Sequence, residues 1–294
     1  MAVIMMLFIF CTSIALADIV KTHTCKLCHR ISTKKLVQGY EISSHSKTMQ
    51  DAKRNAKIVA DFKTNKAFAR SEVAYIIGKG RKVQAFLDSE FRVLPSIWDN
   101  SAKKWASIPS TDARYKCLGC HSTEYDAKSH KYTEVAVGCK GCHGPGHRHL
   151  GKSKRIVNPA KLSEVKQAMV CGQCHSSGKD KSGKFAFPVG YIPGGDLAST
   201  YVQSGGICPA PNTEYADFMK SNHYRKGTTC VTCHEPHGKT TEKLLLRKPA
   251  NSICAGCHSA SGKASKHLCN GHGNDCIKCH MPGGRHVFAK SAEK

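Results

Sequence analysis

The sequence predicts a mostly irregular fold, with short α-helices around a core that side chains alone do not build, and a small antiparallel β region near residues 73–106. Three observations predict it. The pentapeptide Cys-x-x-Cys-His occurs seven times, beginning at Cys25, Cys117, Cys139, Cys171, Cys230, Cys254 and Cys276. The copies after Cys117 follow one another at intervals of 22 to 59 residues, which leaves little room for long regular elements. The one long stretch without a copy, between His29 and Cys117, carries apolar runs separated by turn residues.

The pentapeptide is the signature of covalent c-type haem attachment. Each Cys sulfur makes a thioether with one vinyl group of the ring, and the following His binds the iron from one side. The attachment pairs are Cys25 and Cys28, Cys117 and Cys120, Cys139 and Cys142, Cys171 and Cys174, Cys230 and Cys233, Cys254 and Cys257, and Cys276 and Cys279. Their proximal ligands are His29, His121, His143, His175, His234, His258 and His280. Fourteen of the seventeen Cys are used, so the expected cofactors are seven covalently bound c-type haems. That leaves roughly forty residues per haem, too few to enclose each in its own apolar core. The haems must therefore pack on one another, and the core is a haem stack.

Residues 1–17 read as an export signal. They carry no charged side chain, run apolar through Phe10 and end Ala15-Leu16-Ala17 before Asp18. An uncleaved membrane anchor is the alternative, although the run is short for a span. A lipid anchor at Cys11 is disfavoured by the bulky Phe10 before it. Residues 18–110 form an N-terminal module with one haem motif. Within it, Met49 to Phe68 places Ala52, Ala56, Val59, Ala60 and Phe62 near a helical period. The runs Val73–Gly78, Val83–Leu87 and Phe91–Pro95 read as strands, carrying Trp98 and Trp105 as packing residues of the sheet or of a haem edge. Residues 111–294 are haem-dense, with three motifs over 117–175, a Gly- and Pro-rich loop over 185–218, and three motifs over 230–280.

The formal charge is +24. Fourteen haem propionates bring it down to +10 before the irons are counted, so many Lys and Arg can serve as propionate partners. No Arg-rich tail or aromatic-basic recognition motif is present, which argues against nucleic acid. The remaining basic surface suits acidic redox proteins or an anionic cell surface.

Ten His remain after the proximal set: His23, His45, His130, His147, His149, His223, His237, His267, His272 and His286. That is enough to give every iron a second imidazole. Bis-His ligation closes the iron to substrate and leaves it an electron carrier. His130, in Ala127-Lys128-Ser129-His130-Lys131, reads as solvated rather than ligating. No motif ends in Lys, a substitution that would mark an open catalytic haem.

The chain resembles the cytochrome c554-related family of multihaem c cytochromes, whose members include extracellular electron-transfer proteins and subunits of cytochrome filaments. The residues that carry the resemblance are Val137 to Gly146, with Gly-Pro-Gly after the motif, Tyr75 to Gly78, Leu94-Pro95 with Trp98-Asp99, Phe187 to Tyr191 with Pro193-Gly194, Ser221 to Tyr224, Cys233 to Gly238, and Cys279 to Pro282. It implies distal ligands at His149, His223, His237, His286 and His45. His267 precedes the seventh motif at a suitable distance, and the last ligand stays open among His23, His147 and His272. The resemblance also allows head-to-tail self-assembly, with a distal His donated by a neighbouring subunit.

Cys208 and Cys269 stay outside the motifs, and in an oxidising compartment they form a candidate disulfide. The function these features predict is an exported heptahaem electron carrier, periplasmic or at the cell surface, passing electrons to redox proteins or extracellular acceptors. An oxidoreductase acting on a small nitrogen or sulfur compound at one open haem is the alternative. A zinc protein built on the same Cys is the third class, and the His after every Cys pair argues against it.

Overall fold

The computed structural model describes residues 20–54, 56–150, 155–204, 213–238, 240, 243–258 and 275–288. The signal segment, Cys208, Cys269, His267 and His272 lie outside them. The described chain is mostly irregular, with short helices and small antiparallel sheets. α1 (Thr22–Ser32) carries the first motif and turns into α2 (Lys34–Ile42). Even α1 has only 11 residues, below the roughly 12–15 at which an isolated helix holds in water. Tertiary packing must therefore hold these helices.

A five-stranded antiparallel sheet follows: β1 (Met49–Asp51), β2 (Tyr75–Ile77), β3 (Val83–Leu87), β4 (Ser96–Asp99) and β5 (Lys104–Ser107), neighbours in chain order. Register is set by burial. Ile76 faces Phe86, and both are fully buried, with Trp98 opposite Trp105 two strand pairings on. Phe86 sits among the rings of Phe62, Phe68 and Trp105 at 5.3–5.8 Å. Truncating it to Ala is expected to cost about 3–5 kcal/mol, read as a shift of the denaturant midpoint with unchanged slope.

Two expectations fail in this module. Met49 to Phe68 is not a helix: it opens as β1, continues without regular structure and ends in a 3-10 turn at Phe62–Thr64. Its apolar residues instead lay a strap over the sheet, where Ala52, Ala56, Val59, Ala60 and Phe62 pack on the Phe86 cluster. Gln84 holds that strap through Val59 N–H at 2.9 Å and the Lys57 carbonyl at 2.7 Å. Phe91–Pro95 forms no continuous strand: it carries isolated bridges at Arg92 and Val93, and β4 begins one residue after Pro95.

α3 (Ala113–Lys116) leads into α4 (Leu118–His121), then β6 (Ser122–Thr123) paired with β7 (Glu134–Val135). α5 (Lys140–His143), α6 (His147–Leu150) and α7 (Glu164–Gly172) follow. The stretch expected as a loop over 185–218 holds regular structure where it is described. β8 (Gly178–Asp180) pairs with β9 (Tyr201–Gln203), and α8 (Glu214–Lys220) buries Tyr215 and Phe218. Tyr201 and Tyr215 join Ala168 and Leu197 in a small apolar cluster. Gly178 permits this pairing, since a Cβ there would lie 2.2 Å from the Val202 carbonyl. α9 (Asn222–Arg225), α10 (Cys230–Cys233), α11 (Ala250–His258) and α12 (Cys276–His280) complete the described elements. No helix among them is long and apolar enough to cross a membrane.

Candidate haem sites and their axial ligands

Each motif lies on or against one of the short helices: α1, α4, α5, the end of α7, α10, α11 and α12. The spacing requires this. Cys at i and i+3 and His at i+4 share one face of a single helical turn, so a ring can be gripped at two edges and ligated beneath.

Ring orientation is set by the other imidazole nitrogen. Nδ1 of His143 meets the Val157 carbonyl at 2.8 Å, that of His234 the Leu244 carbonyl at 2.9 Å, and that of His121 the Thr48 carbonyl at 3.2 Å. The distal candidate His45 does the same with the Pro236 carbonyl at 3.3 Å. A carbonyl can only accept, so Nδ1 carries the proton and Nε2 keeps its lone pair for a metal. Desolvation also holds His45, His121, His143 and His234 below the ordinary imidazole range, favouring the neutral, ligating form.

The distal candidates test whether the site fits a haem. Two opposed imidazoles on one metal, with each nitrogen about 2 Å from it, place their ring centroids about 6 Å apart. Five such pairs are present. His29 faces His149 at 6.1 Å, His175 faces His45 at 6.2 Å, His143 faces His237 at 6.0 Å, His258 faces His223 at 5.9 Å, and His234 faces His286 at 6.1 Å. Interplanar angles run from 19° to 87°, which is compatible because each ring contains the metal–nitrogen axis and can turn about it. Each pair joins one proximal His to one distal candidate, and the residues fit bis-His haem iron.

Two motifs stand apart. Among the described residues His121 has no opposed imidazole, although its Nδ1 is fixed like the others. For His280 the candidates His267 and His272 fall outside the described residues. His23 is exposed on α1, and half-buried His147 has its Nδ1 without a partner; neither faces a proximal ring. His130 is not solvated as expected. It is half-buried, receives a 2.7 Å hydrogen bond between its Nδ1 and the Tyr125 hydroxyl, and packs on Tyr115. No proximal imidazole faces it.

Contacts between motifs give the attachment sites an order in space. Thiols of Cys25 and Cys139 lie in hydrogen-bonding contact, as do those of Cys120 and Cys174, Cys171 and Cys230, and Cys254 and Cys276. Cys142 is within electrostatic reach of Cys174, and Cys233 of Cys257. The His sets agree: His143 neighbours His29 and His149, and His175 neighbours His234, His286 and His121. The motifs thus adjoin in the order first, third, fourth, fifth, sixth, seventh. The second meets this line at the fourth.

Three features lay outside the reach of sequence reading: the ring pairings, the carbonyls that orient the rings, and an ion pair inside the cluster. Lys140, within the third motif, is buried and paired with Glu124, whose backbone takes a left-handed conformation at φ 51° just after β6.

Residues 88–144 match the profile of the family described as cytochrome c554 and c-prime, and residues 223–263 match that of the doubled CXXCH motif. The chain is 27% identical over 176 residues to the multihaem cytochrome MtrA of Shewanella baltica, covering 49% of this chain and 52% of that protein. It is 23% identical over 204 residues to the dissimilatory sulfite reductase MccA of Wolinella succinogenes, covering 56% of this chain and 27% of that one. The chain therefore spans about half or less of the length of these relatives. In structure it resembles the outer cell wall cytochrome OcwA with a TM-score of 0.69 at 20% identity, covering 92% of this chain and 79% of that one. At that identity the likeness is one of fold.

Proposed function

The chain is a multihaem c-type cytochrome related to the cytochrome c554 family, and from that premise we propose that it is an exported heptahaem electron conduit. Haems bound at the seven motifs supply reversible one-electron chemistry. The polypeptide's part is to fix their spacing and close their irons. The observation that carries the reading is the set of five proximal–distal His pairs at 5.9–6.2 Å, each isolating one attachment site from substrate. The unbroken sequence of motif contacts supports an end-to-end path, with the fourth motif as its junction. The apolar residues 1–17 support export, and the surplus of Lys and Arg supports acidic redox proteins or an anionic surface as partners. Head-to-tail self-assembly and the division of the chain at residue 110 belong to the same reading.

One observation favours a second reading. Among the described residues His121 has no opposed imidazole such as five other proximal ligands have, so the second motif is the place for an open iron that could bind a small nitrogen or sulfur ligand. The relation to a sulfite reductase supports it.

One experiment separates the two readings. Haem-loaded protein is examined by electron paramagnetic resonance when oxidised and by carbon monoxide titration when reduced. A pure conduit shows only low-spin iron and takes up no carbon monoxide. The second reading expects one high-spin haem and one equivalent bound, both abolished when Cys117 and Cys120 are replaced by Ala. A pyridine haemochrome value well below seven per chain would overturn the heptahaem assignment.

A further inference from the structure

Between the fourth and fifth motifs lies a group of charges that haem attachment does not itself require. α8 presents Glu214 and Asp217 toward the C-terminal segment. Asp217 is 5% exposed and receives a two-point contact from Arg285, Nε at 3.0 Å and Nη2 at 2.9 Å, with the Thr213 hydroxyl donating at 2.8 Å. Fork-to-carboxylate pairing of this kind fixes direction as well as distance. Arg285 immediately precedes His286, the imidazole opposed to His234. The segment after α12 is thereby pinned over the fifth motif, although its own attachment helix belongs to the seventh.

Nδ1 of His286 is buried without a hydrogen-bond partner, unlike Nδ1 of His121, His143 and His234, which meet backbone carbonyls. The direction of this ring is therefore set through the segment that carries it, and the Arg285–Asp217 contact is what holds that segment to α8.

We propose that Asp217 and Arg285 form a clamp that positions His286 as the second axial ligand at the fifth motif. Asp217 and Arg285 are positioning residues, which act only through His286. The proposal rests on the conduit reading. The two fail separately, because wild-type spectra test the conduit and only the change on substitution tests the clamp.

The test uses haem-loaded full-length protein carrying Arg285→Ala or Asp217→Asn, with haem content per chain confirming assembly. Arg285→Ala and Asp217→Asn are each expected to convert one low-spin haem to high-spin and to add one equivalent of carbon monoxide uptake over wild type. Free imidazole should restore the low-spin signal, and Arg285→Lys should retain most of it. Unchanged spin state and carbon monoxide uptake in fully loaded Arg285→Ala would overturn the clamp. A variant that loads too little haem is replaced by His286→Gly with and without imidazole, where failure to form one imidazole-dependent low-spin haem also overturns the proposal.

Discussion

Replacing Cys171 and Cys174 together by Ala is expected to divide the redox response of the protein in two. The fourth attachment site adjoins the third through Cys142, the second through Cys120 and the fifth through Cys230, so among the thiol contacts of the described residues it is the site that joins the two halves of the line. Haem content should fall from seven to six per chain. After photochemical injection of less than one electron per chain, the wild type should show one equilibrated spectrum, while the variant should show two groups that no longer equilibrate with each other. Full equilibration with six haems loaded would refute the junction. The matching control is Cys117→Ala with Cys120→Ala, which removes only the branch and should leave the line connected.

Substitution of Glu124 by Gln is expected to destabilise the protein by about 3 kcal/mol, the lower end for breaking a buried pair because the Glu side chain is 29% exposed. Lys140 is the reason. Its side chain is 1% exposed, and without the carboxylate its ammonium stays buried with its main counter-charge gone. Replacing Lys140 by Met in the same chain should recover most of the loss, since an apolar side chain of similar length carries no desolvation penalty. Denaturant midpoints of the two singles and the double, taken as a cycle, decide it. Additive losses would mean that the pair does not act as a unit.

The seven Cys-x-x-Cys-His copies, the short helices and the β region between residues 73 and 107 were all legible from local pattern, because one helical turn or one strand contains the whole signal. Five distal candidates likewise face proximal rings. Which ring faces which was not legible. His29 meets His149 across 120 residues of chain, and His45 meets His175 across 130, separations that no local period encodes. The strap over residues 52–62 misled for a related reason. Its Ala and Val spacing satisfies a helical face, but a sheet carrying Phe86 and Trp98 offered that apolar face a better surface than a helix could make alone. The count of ten spare His likewise does not say which site each one serves, and among the described residues none of them faces His121.

The proximal rings of the second, third and fifth motifs are steered by carbonyls of Thr48, Val157 and Leu244, groups that every amino acid carries. The identity of those three residues is therefore invisible to the iron, and only the path of the backbone matters. Evolution can exchange the side chains along that path without turning a single imidazole. This gives a physical reason for a chain to share 92% of its length with OcwA in shape and only 20% in sequence. In such a molecule, deletions and insertions near the oriented carbonyls are the damaging changes, and point substitutions there are mostly silent.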